Sequence, residues 1–207
     1  MYNFEKFQKV FQKTIQMLLD RKYIIPKYLI NLELNPYLID VFFEKFDGTL
    51  FFKYALNLNY LSPKESLLIN KKKQNIHYLM LFFSTEKFGV KELRLKITEI
   101  NLKNINHVIF ILENKFTLHG QKLLNKYTTL EEEIFYFDEL LIDAIYHNLV
   151  PKHELLTTEE SKQLLKTVGN KIPAIKKTDR ICRHFNGHTG QIFRIYRQNE
   201  LYYRIVV

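Results

Sequence analysis

At 207 residues, 46% of them hydrophobic and 26% charged, the chain has the make-up of one large or two small folded domains and not that of a disordered segment. Its longest apolar stretches, such as Tyr78–Phe83 and Val108–Leu112, fall far short of the ~20 residues a membrane-spanning helix needs, and the start Met1–Lys6 carries no secretory signal pattern. A net charge of +9 favours contact with nucleic acid or an acidic protein surface, while a single cysteine, Cys182, excludes an internal disulfide.

Phe4, Phe7, Phe11, Thr14, Ile15, Leu18 and Leu19 recur at steps of three and four, which predicts an amphipathic helix ending near Asp20-Arg21. Pro36 followed by Tyr37–Phe46 predicts a second helix, Asp47-Gly48 a turn, and Thr49–Leu56 a strand. Asn57–Gln74, with Lys71-Lys72-Lys73, reads as a polar loop. Then strands and helices alternate: a strand over His77–Phe83, a helix over Gly89–Asn101, a strand over His107–Leu112, a helix over Thr117–Tyr127 and a short strand over Ile134–Phe137. Such alternation predicts an α/β layer with a largely parallel sheet.

A boundary falls near residues 140–152, and the pattern changes after it. Thr157-Thr158-Glu159-Glu160 predicts a capping box at a helix start, with Leu164, Leu165 and Val168 as the apolar face and Gly169 as the stop. Pro173 belongs to an extended linker. Asp179 caps a short helix through His184, and Gly187 follows. Gln191–Arg197 and Leu201–Val207 read as two strands joined by Gln198–Glu200. The tail is thus a compact α+β module. Residues 151–207 hold 11 Lys/Arg against 5 Asp/Glu, so a quarter of the chain carries most of the excess charge.

Enzymatic signatures are weak. Glu113-Asn114-Lys115 follows an apolar strand, as in metal-dependent nucleases where a carboxylate holds a divalent metal and a lysine steadies hydroxide. That chemistry needs a second carboxylate, and Glu86 and Glu99 are the available candidates. Cys182, His184 and His188 lie close together, but a structural zinc site wants four ligands in two pairs. With six glycines and no Gly-rich phosphate loop or Gly-x-Ser-x-Gly elbow, the expectation is no catalytic residue, no metal and no cofactor. Five arginines, Arg180, Arg183, Arg194, Arg197 and Arg204, cluster within 25 residues of a lysine-rich chain. Planar, bidentate pairing with carboxylates favours arginine over lysine, so the cluster predicts fixed ion pairs or a protein interface.

With these residues the tail resembles a known family. His147-Asn148-Leu149-Val150-Pro151-Lys152-His153, Leu156-Thr157-x-Glu159-Glu160, Leu164-Leu165, Ile172-Pro173-Ala174-Ile175, Thr178-Asp179, Gly190-Gln191-Ile192, Arg194-Ile195, Arg197 and Tyr203-Arg204-Ile205-Val206 resemble, in order and spacing, the C-terminal domain of the fifth subunit of eukaryotic RNA polymerases, a domain that by itself makes up the whole archaeal counterpart. Asp20-Arg21-Lys22-Tyr23, Gly89-Val90-Lys91 and Asn114-Lys115-Phe116-Thr117 before Lys122-Leu123 are similar to the N-terminal part of the eukaryotic protein. The chain departs from the family at Asp179-Arg180, at Pro173-Ala174-Ile175, at Thr117-Leu118-His119-Gly120 and in a shorter final hairpin.

The resemblance implies an α/β jaw domain over residues 1–142, a nuclease-like three-layer sheet with helices but no nuclease activity, and an α+β assembly domain over residues 143–207. It implies docking on the largest polymerase subunit and contacts with other polymerase subunits. Pro151, His153, Pro173, Ile175, Asp179, Arg180, Arg194, Arg197, Tyr203 and Arg204 are the partner-binding candidates. Lys115, Thr117, His119, Lys122 and Lys126 are the candidates near downstream duplex DNA, a weak and sequence-independent contact. Neither a membrane nor a small-molecule substrate is implied. The location would be nuclear for a cellular polymerase, or a cytoplasmic viral factory and the virion for a viral one. The alternatives are a metal-dependent nuclease and a stand-alone nucleic-acid-binding protein.

Overall fold

The computed structural model describes residues 4–23, 79–84, 89–102, 107–124, 131–142, 144–169, 171–197 and 200–207. The expected helix over 37–46, strand over 49–56 and loop over 57–74 lie outside the described residues, as do Glu86, Lys126 and the turn residues 198 and 199. The chain divides into two compact units, one of residues 1–15 and 24–141, the other of residues 16–23 and 142–207. No described helix is long and apolar enough to cross a membrane. The class is mixed α/β.

In the first unit, helix α1 (Phe4–Asp20) contributes its leading part. Strand β1 (Leu79–Ser84), helix α2 (Val90–Leu102), strand β2 (His107–Leu112), helix α3 (Leu118–Leu124), strand β3 (Glu131–Tyr136) and helix α4 (Phe137–Leu141) follow. The three strands pair in parallel in the order β1-β2-β3. All six residues of β2 are buried, as expected of a strand covered on both faces, and this is why it reads as an unbroken apolar run. On one face Val108, Phe110 and Leu112 pack with Leu93 and Ile97 of α2, Leu124 of α3 and Phe116. Leu81 and Phe83 lie opposite Ile109 and Ile111 in register and so share the other face. There Phe7 and Phe11 of α1 meet Phe83, with ring centroids 5.7 and 6.0 Å apart.

β3 starts earlier than expected, at three consecutive glutamates, and Phe137 opens α4 instead of ending the strand. Acidic side chains hide the strand period from the sequence. Glu133 is held by the buried His107, 2.8 Å away, so its placement beside β2 carries a compensating hydrogen bond.

In the second unit, strand β4 (Lys152–Leu155), helix α5 (Thr158–Val168), strand β5 (Ala174–Ile175), helix α6 (Arg180–His184), strand β6 (Ile192–Arg197) and strand β7 (Glu200–Val206) form an α+β module. Its sheet order is β4-β6-β7-β5, antiparallel except for the β5–β7 pair. Ile175, Cys182, Phe193, Ile195 and Val206 make its core. The capping box forms as expected: Thr157 Oγ1 accepts from the Glu160 amide at 3.2 Å and Glu160 Oε2 accepts from the Thr157 amide at 2.9 Å. Two expectations change. The segment after Pro173 is the two-residue strand β5, since Pro173 offers a carbonyl, taken up by the Ile205 amide at 2.9 Å, but no donor. The apolar face of α5 is not buried: no residue of the helix is, and Val168 is half exposed.

Candidate partner-docking site

The site is built around α6. A five-residue helix leaves most of its end groups without intrahelical partners, so it persists only when they are satisfied from outside. At its start the Asp179 carboxylate accepts from the Ile181 amide at 2.9 Å. At its end, Arg21 donates from Nε to the His184 carbonyl at 2.6 Å and from Nη2 to the Arg183 carbonyl at 2.8 Å. A cation at a helix C-terminus also meets the negative end of the helix dipole. His184 Nε2 donates to the Asp20 carboxylate at 2.7 Å, and the Tyr146 hydroxyl donates to the same oxygen. Asp20, Arg21, Tyr146 and α6 are thereby knit together.

This knot forms one wall of an open groove of about 770 Å³. Ile181, Phe185 and Leu155 supply its apolar lining, and Tyr146, Pro151 and His153 stand at its rim. His153 Nδ1 lies 2.6 Å from the Pro151 carbonyl oxygen, which only accepts, so Nδ1 carries the proton. The ring stands edge-on to Phe193. Burial pushes the His153 pKa below the ordinary histidine value, although the hydrogen bond to Pro151 acts the other way. Leu149, 85% exposed, projects from the turn that leads into Pro151.

Pro151 and His153 are brought together at this groove, and Asp179 and Arg180 sit at the start of α6. Asp179 is a cap, while Arg180 is exposed. Ile175 is buried in the core, so it anchors β5 and presents no surface. Arg194 has its carboxylates within the module: Glu160 Oε1 at 3.1 Å and Glu154 Oε2 at 3.6 Å. Hydrogen bonds with Tyr196 and Glu160 raise its pKa further above the ordinary range. Tyr203 lies beside Arg194 in a shallow cleft with Leu164. Arg197 and Arg204 remain exposed. Arg197 stacks over Tyr202 with 5.6 Å to the ring centroid, and Arg204 donates to the Ala174 carbonyl at 3.3 Å.

Lys115, Thr117, His119 and Lys122 are all exposed and gather around the start of α3. Thr117 Oγ1 accepts from the Gly120 amide at 3.2 Å and so caps that helix. Among the described residues, no three potential ligands come together to hold a metal. Cys182 is buried with its thiol 3.5 Å from the Gly187 carbonyl, its pKa raised chiefly by burial, and His184 is engaged with Asp20. At the Glu113-x-Lys115 signature, the described partner of the carboxylate is a lysine from α1. Lys6 Nζ sits 3.2 Å from Glu113 and 3.1 Å from Asp138, a cation between two carboxylates, while Lys115 points into solvent. Sequence reading missed Lys6, Tyr146 and the clamp role of Asp20-Arg21. Only the resemblance of Asp20-Arg21-Lys22-Tyr23 marked the last of these.

Residues 142–207, the part that forms this module, match the family model RNA polymerase Rpb5, C-terminal domain. The similarity extends beyond the module. The chain is 29% identical over 191 residues to DNA-directed RNA polymerase V subunit 5A of Arabidopsis thaliana, covering 90% of this chain and 79% of that one. It is 26% identical over 208 residues to DNA-directed RNA polymerases I, II, and III subunit rpabc1 of Dictyostelium discoideum, covering 97% and 94%. With RPABC1 of Caenorhabditis elegans the identity is 28% over 142 residues, covering 62% of this chain and 66% of that one. The class of domain that the module matches is thus the C-terminal domain of Rpb5-type RNA polymerase subunits. Over most of its length the chain is similar to the fifth subunits of eukaryotic RNA polymerases.

Proposed function

We propose that the chain is a non-catalytic subunit of a multisubunit DNA-directed RNA polymerase, working in the nucleus, that docks on the largest subunit through its second unit. The observation that carries this reading is that the residues matched to the Rpb5 C-terminal domain fold, together with residues 16–23, as one compact unit with an apolar groove and a basic hairpin left exposed. Pro151, His153, Arg180, Arg197 and Arg204 are the contact residues in this reading. Pro173, Ile175, Asp179, Arg194 and Tyr203 hold the surface that carries them.

The first unit would stand in the jaw beside downstream duplex DNA. Lys115, Thr117, His119 and Lys122 are grouped and exposed as a diffuse phosphate contact requires. The engagement of Glu113 by Lys6 supports a structural role for this unit, because a carboxylate neutralised by an ammonium has lost the charge that attracts a divalent metal.

Affinity capture of the tagged full chain with mass spectrometry tests the proposal. The largest polymerase subunit should be recovered in near-equal amount, and Arg197→Ala combined with Arg204→Ala should cut that recovery several-fold. A purified polymerase from the same cells that contains no copy of this chain would overturn it.

A further inference from the structure

Strand β7 is paired along its whole length with β6 on one side, but on the other side β5 reaches only Ile205 and Val206. The alternation of main-chain hydrogen bonds is fixed by two observations. The Val206 amide donates to Gln191, toward β6, whereas the amides of Ile205 and Val207 donate to Pro173 and Ile175, toward β5. Successive residues of a strand direct their main-chain groups to opposite sides. Leu201 and Tyr203 therefore aim their N–H and C=O groups to the β5 side, beyond the point where β5 begins. Among the described residues, no main-chain partner meets them there.

Folded proteins commonly blunt such an edge with proline, lysine, a bulge or a covering segment. Glu200-Leu201-Tyr202-Tyr203-Arg204-Ile205-Val206 contains no proline, glycine or lysine and is rich in residues that favour strands. Its two faces are both furnished for contact. Leu201, 52% exposed, shares one face with the half-buried Tyr203, while Tyr202, 45% exposed, shares the other with Arg204 and with Arg197 of the neighbouring strand. Tyrosine and arginine are enriched among the residues that dominate the energetics of protein interfaces.

We infer that this edge accepts an extended acidic segment of another protein as an added strand beside Leu201–Tyr203. Main-chain bonds would hold the segment, and Arg197 and Arg204 would select it by pairing with its carboxylates. The basic balance of residues 151–207 selects against a second copy of the chain as the occupant, because two such edges would bring like charges together. The inference deepens the docking reading above by naming the mode of contact and the chemistry of the partner segment.

Residue-resolved hydrogen exchange on the full-length chain tests it. The probe is a capped octapeptide of alternating aspartate and valine, and the controls carry lysine for aspartate or N-methyl groups on alternate residues. The amides of Leu201 and Tyr203 should exchange quickly in the free chain and at least tenfold more slowly with the acidic probe. Neither control peptide should protect them, and Arg197→Glu should weaken acidic-probe binding about tenfold without altering the circular dichroism spectrum. Four results would each overturn the inference: protection already present in the free dilute chain, protection that grows with chain concentration alone, equal binding of the N-methylated peptide, or no protection by the acidic probe. None of these depends on the polymerase capture, so failure of the edge and failure of the polymerase reading are separable.

Discussion

Arg21 closes the end of helix α6 by donating to the main-chain carbonyl of His184 at 2.6 Å, across 163 positions of sequence. The His184 side chain returns to Asp20, the residue before Arg21, so the two residues are tied through both backbone and side chain. Arg21→Ala leaves two carbonyls without their charged donor and should cost the module about 1–3 kcal/mol. Chemical denaturation of the second unit, followed by the amides of α6, measures this. Arg21→Lys should recover only part of the loss, since one ammonium does not reproduce the two-pronged geometry.

Gly187 is packed against the core thiol. A Cβ there would lie 2.7 Å from Cys182 Sγ and 3.2 Å from the Phe193 ring. Gly187→Ala should therefore destabilise the module by about 1–3 kcal/mol through overpacking. Adding Cys182→Ala removes the closest atom, so the double variant should lose less than the sum of the two single changes, read from the same denaturation curves. The buried thiol, its pKa raised by burial, should react with iodoacetamide far more slowly in the folded chain than in urea.

Acid should weaken the second unit in two ranges. The folded-state pKa of His153 is depressed by burial. The unfolded chain then binds the proton first, so the contribution is fully present above the ordinary histidine value and is lost as pH falls below it. Glu160 is held below the ordinary carboxylate value by its bonds with Thr157 and then Arg194, so its contribution is present above that value and is lost as pH falls through the depressed one. In thermal melts, His153→Gln should flatten the fall in midpoint below about pH 6.5. Glu160→Gln should flatten the fall at lower pH.

Lys6 neutralises Glu113 and Asp138 from a partly exposed position. Lys6→Met should change stability by only about 0–1 kcal/mol, because partly exposed ion pairs are weak. Magnesium-dependent cleavage of duplex DNA should be absent from both wild type and this variant. Cleavage by the wild-type chain that disappears in Glu113→Ala would revive the nuclease reading.

If Lys115 and Lys122 contact DNA phosphates, replacing both with alanine should lower the slope of log affinity against log salt by up to about 2, close to 1 per contact. The measurement belongs on the assembled polymerase with downstream duplex. An unchanged slope would remove these lysines from the DNA surface.

Local chemistry was readable in the chain. Helix α1, strand β2, the capping box at Thr157, the Asp179 cap and the closing hairpin all appear where periodicity or cap residues predicted them. β5 and the glutamate-led start of β3 escaped, since a two-residue strand and an acidic strand carry no period to detect.

What the sequence determined by itself is the set of elements whose signals lie within a few residues of one another, together with the ordered motif string that marks the family. Tertiary structure alone decided which charges meet. It placed Arg194 between Glu154 and Glu160, Lys6 between Glu113 and Asp138, and Arg21 on the carbonyls of α6. A cap depends on neighbouring torsions, whereas a salt bridge depends on the path of the chain between its partners, and no local pattern of residues encodes that path.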